Sequence, residues 1–163
     1  MIAIPIQSET YGEKLFFIDG EDFEKVNQYK WGLKFSKDKF YIHRTMGYKE
    51  NKSSQSLHRY ITGCPSGMVV DHIDGNPLNN CRSNLRICSN AENMRNRKKN
   101  INGTSKYKGV SFHKRDKVFM ACIRLDNKLF HLGYFKDEKD AAEAYNKAAI
   151  KYHGEFARLN IIN

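Results

Sequence analysis

Four cysteines stand at 64, 81, 88 and 122, and no two of them form a CxxC pair. That spacing suits neither a disulfide framework nor a zinc knuckle or ribbon. No zinc is expected, and a reducing, cytoplasmic setting is the natural one. Long apolar runs are missing too. None approaches the roughly 18–20 residues of a membrane span. The opening MIAIPIQSETYGE lacks the basic and apolar stretches of a signal peptide. Basic stretches are interleaved with Gly, Asn and turns, so they build no long amphipathic helix for a membrane surface. No membrane partner is expected, and no internal repeat recurs at a fixed period.

Acid is scarce. Asp and Glu total 18 against 28 Lys and Arg, a net charge of +10 over 163 residues. The excess is uneven: residues 1–50 balance, while 51–100 and 101–163 each carry an excess of five positive charges. A basic back two-thirds points to a polyanionic partner. Apolar residues at 40% and aromatics at 12% exclude a disordered chain. The length admits one ordinary domain or two small ones.

Residues 1–55 read as a small α+β segment. IPI at 4–6, KLFFI at 14–18 and KFYIHR at 39–44 are β-rich, and GEDFEKVNQYKW fits a short helix with Phe23, Val26 and Trp31 turned inward. SLHRYITG at 56–63 places Leu57, Tyr60 and Ile61 at helical spacing before Gly63. MVVDH at 68–72 and NLRIC at 84–88 are short strands around the tight, Asx-rich loop 73–83. Ser89 and Glu92 form a capping box for a helix to about Arg97. The polar, basic stretch 98–106 reads as a linker. Beyond it, GVSFH, VFMACIRL and KLFHLGYF form an antiparallel meander, turning at 114–117 and at Asp126-Asn127. A helix follows from Asp137 to about His153, stopped at Gly154, with Ala141, Ala144, Tyr145, Ala148 and Tyr152 on one stripe.

The residues that carry chemistry lie between 71 and 93. Asp71 and His72 end one strand, Asn84 begins the next, and Asn93 lies one turn into the helix. One Asp and one Asn oxygen converging from strand and helix suit a hard divalent cation with open positions for water and phosphate, as Mg²⁺ prefers. A neutral His72 beside them is able to take a proton from water near pH 7. An EF-hand would need Glu at the twelfth position from Asp71, and Arg82 stands there.

LHR, VDHIDGN, LNN, SNLR and NAENMRN, in that order over about 57–97, resemble an HNH (ββα-metal) endonuclease of the phage homing type. The resemblance implies that Asp71 and Asn93 hold the metal and that His72 is the general base. It implies that Asn84 braces the loop and orients His72. The final His of the name is Asn93 here, a weaker neutral ligand. The cofactor implied is Mg²⁺, with Mn²⁺ as a substitute. Arg82, Arg86, Arg95, Arg97, Lys98 and Lys99 flank this unit as candidate phosphate contacts. Arg59, beside His58, either contacts phosphate or covers the hairpin.

Residues 105–160, with YKGV, the A-x-I-R of 121–124, LGYF, DAAEAYNKAA and a terminal LN, resemble the APETALA-two/ethylene-response-factor DNA-binding domain. That family lays a three-stranded sheet in the major groove. By this resemblance Lys108, Ser111, His113, Arg124 and His131 are groove-facing, and Arg115, Lys117 and Lys128 are further candidates.

The expected architecture is α+β. It comprises an N-terminal α+β segment (1–55), a central ββα-metal HNH unit (56–97), a basic linker (98–106), and a three-stranded antiparallel sheet packed on one helix (107–160). The expected function is metal-dependent endonucleolytic cleavage of double-stranded DNA, positioned by the C-terminal sheet, with a monomer favoured. The alternative is a non-catalytic, sequence-specific DNA-binding regulator.

Overall fold

A computed structural model describes residues 1–48, 51–99, 103–126 and 128–163. The fold is α+β, with several small antiparallel sheets and few helices. No described helix is long and apolar enough to cross a membrane. The chain divides into two compact units, Met1–Asn90 and Ala91–Asn163.

The first unit holds three small sheets. Strands β1 (Ile2–Ser8) and β2 (Gly12–Ile18) form a hairpin. Strands β3 (Gly32–Ser36), β4 (Lys39–Met46) and β5 (Ser53–Ser56) form a meander, and β6 (Val69–His72) pairs with β7 (Leu85–Cys88). Helices α1 (Phe23–Asn27) and α2 (Leu57–Thr62) complete it. Gly63 ends α2 at φ +63°, a left-handed cap that costs glycine little. The helix expected over GEDFEKVNQYKW is shorter: a 3-10 turn over Gly20–Asp22 and then five residues of α1. Trp31 lies beyond it, where its indole Nε1 donates to the Val26 carbonyl at 2.8 Å.

One core joins what the sequence divides at residue 55. Ile6, Phe16, Ile18, Val26, Ile42, Leu57, Ile61, Val70 and Leu85 are buried together. None of the small sheets has two covered faces of its own, so the N-terminal strands and the β6–β7 hairpin depend on each other for burial.

In the second unit, α3 (Asn90–Arg95) begins at the division. Strands β8 (Val110–His113), β9 (Val118–Leu125) and β10 (Lys128–Phe135) form the expected meander, packed on α4 (Glu138–His153). Asp137 caps α4 by accepting from the Lys139 amide at 2.6 Å. Ala141, Ala142, Tyr145, Ala148 and Ala149 are buried, and the small alanines let α4 lie close to the sheet. Tyr152, expected on that stripe, is exposed. At Gly109 (φ +75°) a side chain would collide with the Tyr145 ring and the Cys122 carbonyl, so the entry to β8 passes where only glycine fits.

The expected linker is only partly a linker. Ser105 is buried, its hydroxyl donates to Glu138 Oε1 at 2.7 Å, and the Phe112 amide donates to the Thr104 hydroxyl at 2.9 Å. Its described residues lie within the second unit, which begins at Ala91. Residues 100–102, and Asn127 of the β9–β10 turn, lie outside the described residues.

Candidate active site

The β6–β7 ladder sets opposite faces for neighbouring side chains. Asp71 pairs with Arg86 and His72 with Leu85. Cross-strand partners share a face and successive residues alternate. Accordingly Arg86 places Nε at 2.9 Å and Nη2 at 2.7 Å from Asp71 Oδ2. His72 turns to the buried side with Leu85, where its ring stands edge-on to His58 of α2 at 5.1 Å.

Loop 73–84 is held by its own Asx side chains. Asn84 Oδ1 accepts from the Asp74 amide at 3.0 Å, and its Nδ2 donates to Asp74 Oδ1 at 3.0 Å and to the Asn79 carbonyl at 2.8 Å. Asn79 Nδ2 donates to Asp74 Oδ2 at 2.8 Å. Burial works to raise the Asp74 carboxyl, but donors from Asn76, Asn79 and Asn84 outweigh it and hold it below its ordinary value. Asn84 itself sits in a 3-10 turn just before β7 rather than in the strand.

The N-terminal strands anchor this loop from outside. Phe17 of β2 donates to the Leu78 carbonyl at 2.8 Å and accepts from the Asn80 amide at 2.7 Å. Lys39 of β4 donates to the Gly75 carbonyl at 2.8 Å. Asn80, 1% exposed, places Oδ1 at 3.4 Å from His72 Nε2. Asn80, Asp74 and Lys39 were not singled out as site residues from sequence. The LNN motif was the available signal for Asn80; for Lys39 no local pattern exists, because its partner lies 36 residues away.

Burial pushes the His72 imidazole below its ordinary pKa, against the opposing pull of Asn80, Asp74 and Asp71. His58 is driven further, to about 3, by burial and by the neighbouring His72 and Arg59. Both rings are therefore neutral near pH 7. A neutral imidazole with one nitrogen at an acceptor is a proton acceptor at the other nitrogen.

Several residues expected to contact DNA have partners within the chain. Arg59 donates to the carbonyls of Met68, Cys64 and Pro65, closing the turn after α2. Arg82 clamps buried Asp22 through Nε at 2.9 Å and Nη2 at 2.6 Å, and its amide donates to Asp19. Arg86 is on Asp71. Lys108 precedes β8, is half-buried, and donates its ammonium to the Arg95 carbonyl. In each case a nearby carboxylate or carbonyl out-competes solvent for the cation. Sequence spacing does not reveal such long-range partners.

Asn93 lies on α3, in the second unit, as does Arg95, whose guanidinium is 3.6 Å from Asp126. Arg97 and Lys98 are exposed and Lys99 is half-buried. The meander register puts Ser111, His113, Arg124 and His131 on the face away from α4, with the His113 and His131 rings beside Tyr134. Arg115 is exposed and contacts Asp116, Lys117 takes φ +53° in the turn, and Lys128 opens β10 in an exposed position.

Among the described residues no group of three or more His, Cys, Asp or Glu side chains is placed to hold a metal ion. A site made of one carboxylate and one side-chain amide would not form such a group. Asp71 and Asn93 each carry a hard oxygen donor, the type that Mg²⁺ and Mn²⁺ take.

The profile of the HNH endonuclease family matches residues 58–95, a span that includes Asp71, His72, Asn84 and Asn93. An HNH endonuclease of Acanthamoeba polyphaga mimivirus, itself uncharacterized, is 31% identical over 179 residues, covering 98% of this chain and 91% of that protein. Protein 3.8 of Escherichia phage T7 is 34% identical over 95 residues, 58% of this chain and 78% of that protein. APETALA2-like protein 2 of Oryza sativa subsp. indica is 42% identical over 60 residues, which is 36% of this chain and 14% of that protein. HNH nucleases generally depend on a divalent metal. With the mimivirus relative aligned over nearly its whole length, the chain belongs to the HNH endonuclease family.

Proposed function

We propose that the chain is a metal-dependent, site-directed DNA endonuclease of the homing type, in which the β6–β7 hairpin cuts and the β8–β10 sheet positions the duplex. The observation that carries this reading is the setting of His72. It is a buried, neutral histidine at a strand end, next to a carboxylate, above a loop braced by Asn84.

Asp71 and Asn93 would hold the cation, Mg²⁺ or Mn²⁺. When bound, it supplies positive charge to the developing phosphorane and to the leaving 3′-oxygen. His72 keeps its proton on Nε2, toward Asn80 Oδ1, and accepts the proton of the attacking water at Nδ1. His58, edge-on to the ring, restricts its rotation. Asn84 fixes the loop whose start carries His72, and so acts on the base through position. Arg86 pairs with the Asp71 carboxylate and orients it in a setting where only 5% of the residue is exposed.

The sheet face with Ser111, His113, Arg124 and His131 would enter the major groove, which admits a β-ribbon, with Arg124 as its guanine reader. An APETALA-two/ethylene-response-factor origin for residues 107–160 is supported by the 60-residue likeness to the rice protein. Arg97, Lys98 and Lys99 remain the phosphate contacts of the connecting stretch. One catalytic unit per chain makes a monomer a nickase.

The test is incubation of the chain with supercoiled plasmid in Mg²⁺ and in EDTA. Conversion to open circle in Mg²⁺ alone is expected. Binding without cleavage in any divalent metal would favour a regulator, and cleavage in EDTA would overturn the metal assignment.

A further inference from the structure

Strand β9 outruns its neighbour on one side. It extends from Val118 to Leu125, but β8 pairs with it only over Val118–Ala121. One further bond follows, from the Cys122 amide to the Gly109 carbonyl at 2.8 Å. In an antiparallel ladder the peptide groups of alternate residues point to the same side, so the Arg124 carbonyl faces the side that the Cys122 amide faces. Among the described residues no strand accompanies β9 beyond Gly109 on that side. A carbonyl on such an edge needs a donor from elsewhere.

The last turn of α4 supplies it. His153 places Nε2 at 3.0 Å from the Arg124 carbonyl oxygen, and the residue is only 6% exposed. Its other nitrogen, Nδ1, is buried with no hydrogen-bond partner among the described residues. Burial, joined by the nearby Arg95 and Lys108, outweighs the pull of the Arg124 carbonyl and holds the imidazole below its ordinary pKa. The ring is therefore neutral near pH 7 and carries one proton. A carbonyl only accepts, so that proton is on Nε2.

Arg124 is exposed, and across the ladder it faces Leu129 at the start of β10. Strand ends with one open edge fray. The other printed tie near this end, Arg95 to Asp126, is a 3.6 Å pair whose aspartate is 90% exposed, a weak hold. The His153 bond is buried and falls on the backbone of Arg124 itself. We propose that His153 is a positioning residue for base reading: by donating to the Arg124 carbonyl it fixes the end of β9, and with it the direction in which the guanidinium leaves the sheet. The proposal rests on the reading of Arg124 as the guanine reader of this face. Bidentate contact with a base edge depends on a fixed approach, so a looser strand end costs discrimination before it costs affinity.

The experiment uses the full chain throughout. A long-range proton–nitrogen spectrum of the histidine rings at neutral pH reads the tautomer without DNA. A proton on Nε2 of His153 is expected, and one on Nδ1 would overturn the proposal. Discrimination is the ratio of affinities for a duplex selected from a random pool and for its single-mismatch forms. It is measured in the parent, His153→Phe, His153→Gln, Arg124→Ala and the double variant Arg124→Ala/His153→Phe. His153→Phe keeps a ring and loses the donor; it should lower the ratio about fivefold or more at the base pair that Arg124 reads, with affinity for a scrambled duplex unchanged. His153→Gln offers an amide donor and should restore most of the ratio. In the Arg124→Ala background His153→Phe should add nothing, because it acts through Arg124. Equal weakening on all sequences, the same further loss without Arg124, or a parental ratio in folded His153→Phe would each overturn the proposal. A parental ratio in Arg124→Ala would instead fault the reading of the sheet face, and the proposal would fall with it. If His153→Phe does not fold, His153→Met takes its place.

Discussion

The two units bury different chemistry. The first encloses Asp22, Asp71, His72, Asn80 and Asn84, each at most 7% exposed. The second packs alanines around Tyr145 and leaves Leu129 at 61% and Tyr134 at 59% exposed on its sheet. Burying polar groups costs free energy unless each finds a partner. The first unit meets that cost with separate hydrogen-bonded sets, Asp22 with Arg82, Asp71 with Arg86, His72 with Asn80, and Asn84 with Asp74 and Asn79. The second unit's buried polar groups, Ser105 and His153 among them, hold backbone and neighbouring side chains, and its open sheet face is free for a large flat ligand. The proposed function assigns chemistry at a point to the first unit and contact over an area to the second.

The sharpest way to break this contrast is His72→Ala. Loss of a general base should slow cleavage by about 10²–10⁴-fold while duplex binding persists. A single-turnover rate within a few-fold of the parent would remove His72 from the mechanism. Arg82→Ala tests whether this arginine belongs to the fold or to the DNA. It leaves the buried Asp22 carboxylate without its guanidinium, and about 1–3 kcal/mol of stability should go. The salt slope for DNA binding should stay as it was. An unchanged melting temperature with a smaller slope would return Arg82 to the phosphate. Asn84→Ala removes three loop bonds to the exposed Asp74 and half-buried Asn79, about 1–2 kcal/mol. Hydrogen exchange at the Asp74 amide should speed up selectively; uniform exchange across the unit would contradict a local brace.

On the other side of the comparison, Arg124→Ala should relax preference at one base pair by about 1–3 kcal/mol. Equal weakening on all sequences would make Arg124 a phosphate contact. The smallest effects concern pH. If His72 is the neutral base proposed, burial holds its pKa below its ordinary 6.5, so the acid limb of the rate profile should fall below pH 6.5. His58 adds a stability term of definite sign. Above pH 6.5 its ring is neutral both folded and unfolded; below it the unfolded chain binds a proton that the folded chain refuses down to about 3. Stability should therefore decline as pH falls from 6.5 toward 3, and His58→Asn should flatten that decline.

Local signals made much of this legible. Asp137 and Gly154 bracket α4, and alternation marks β8 to β10. The hairpin β6–β7 and its Asx loop follow from VVDH, DGNP and LRIC. Strand β5, SSQS, has no apolar alternation and exists because β4 offers it an edge. The partners of Arg59 were within reach, at 5 to 9 residues. The partner of Arg82 was not, at 60 residues. A basic residue near a catalytic motif looks the same in sequence whether it faces phosphate or a buried aspartate. Only the fold decides between them.

The separation of cutting from positioning is tested most directly by following binding and cleavage of one labelled duplex by the full chain, His72→Ala and Arg124→Ala in Mg²⁺. The account predicts that His72→Ala binds like the parent and does not cut, while Arg124→Ala cuts at the parental rate once saturated but discriminates less between matched and mismatched duplexes. Loss of binding in His72→Ala, or loss of saturated cleavage with intact discrimination in Arg124→Ala, would contradict it.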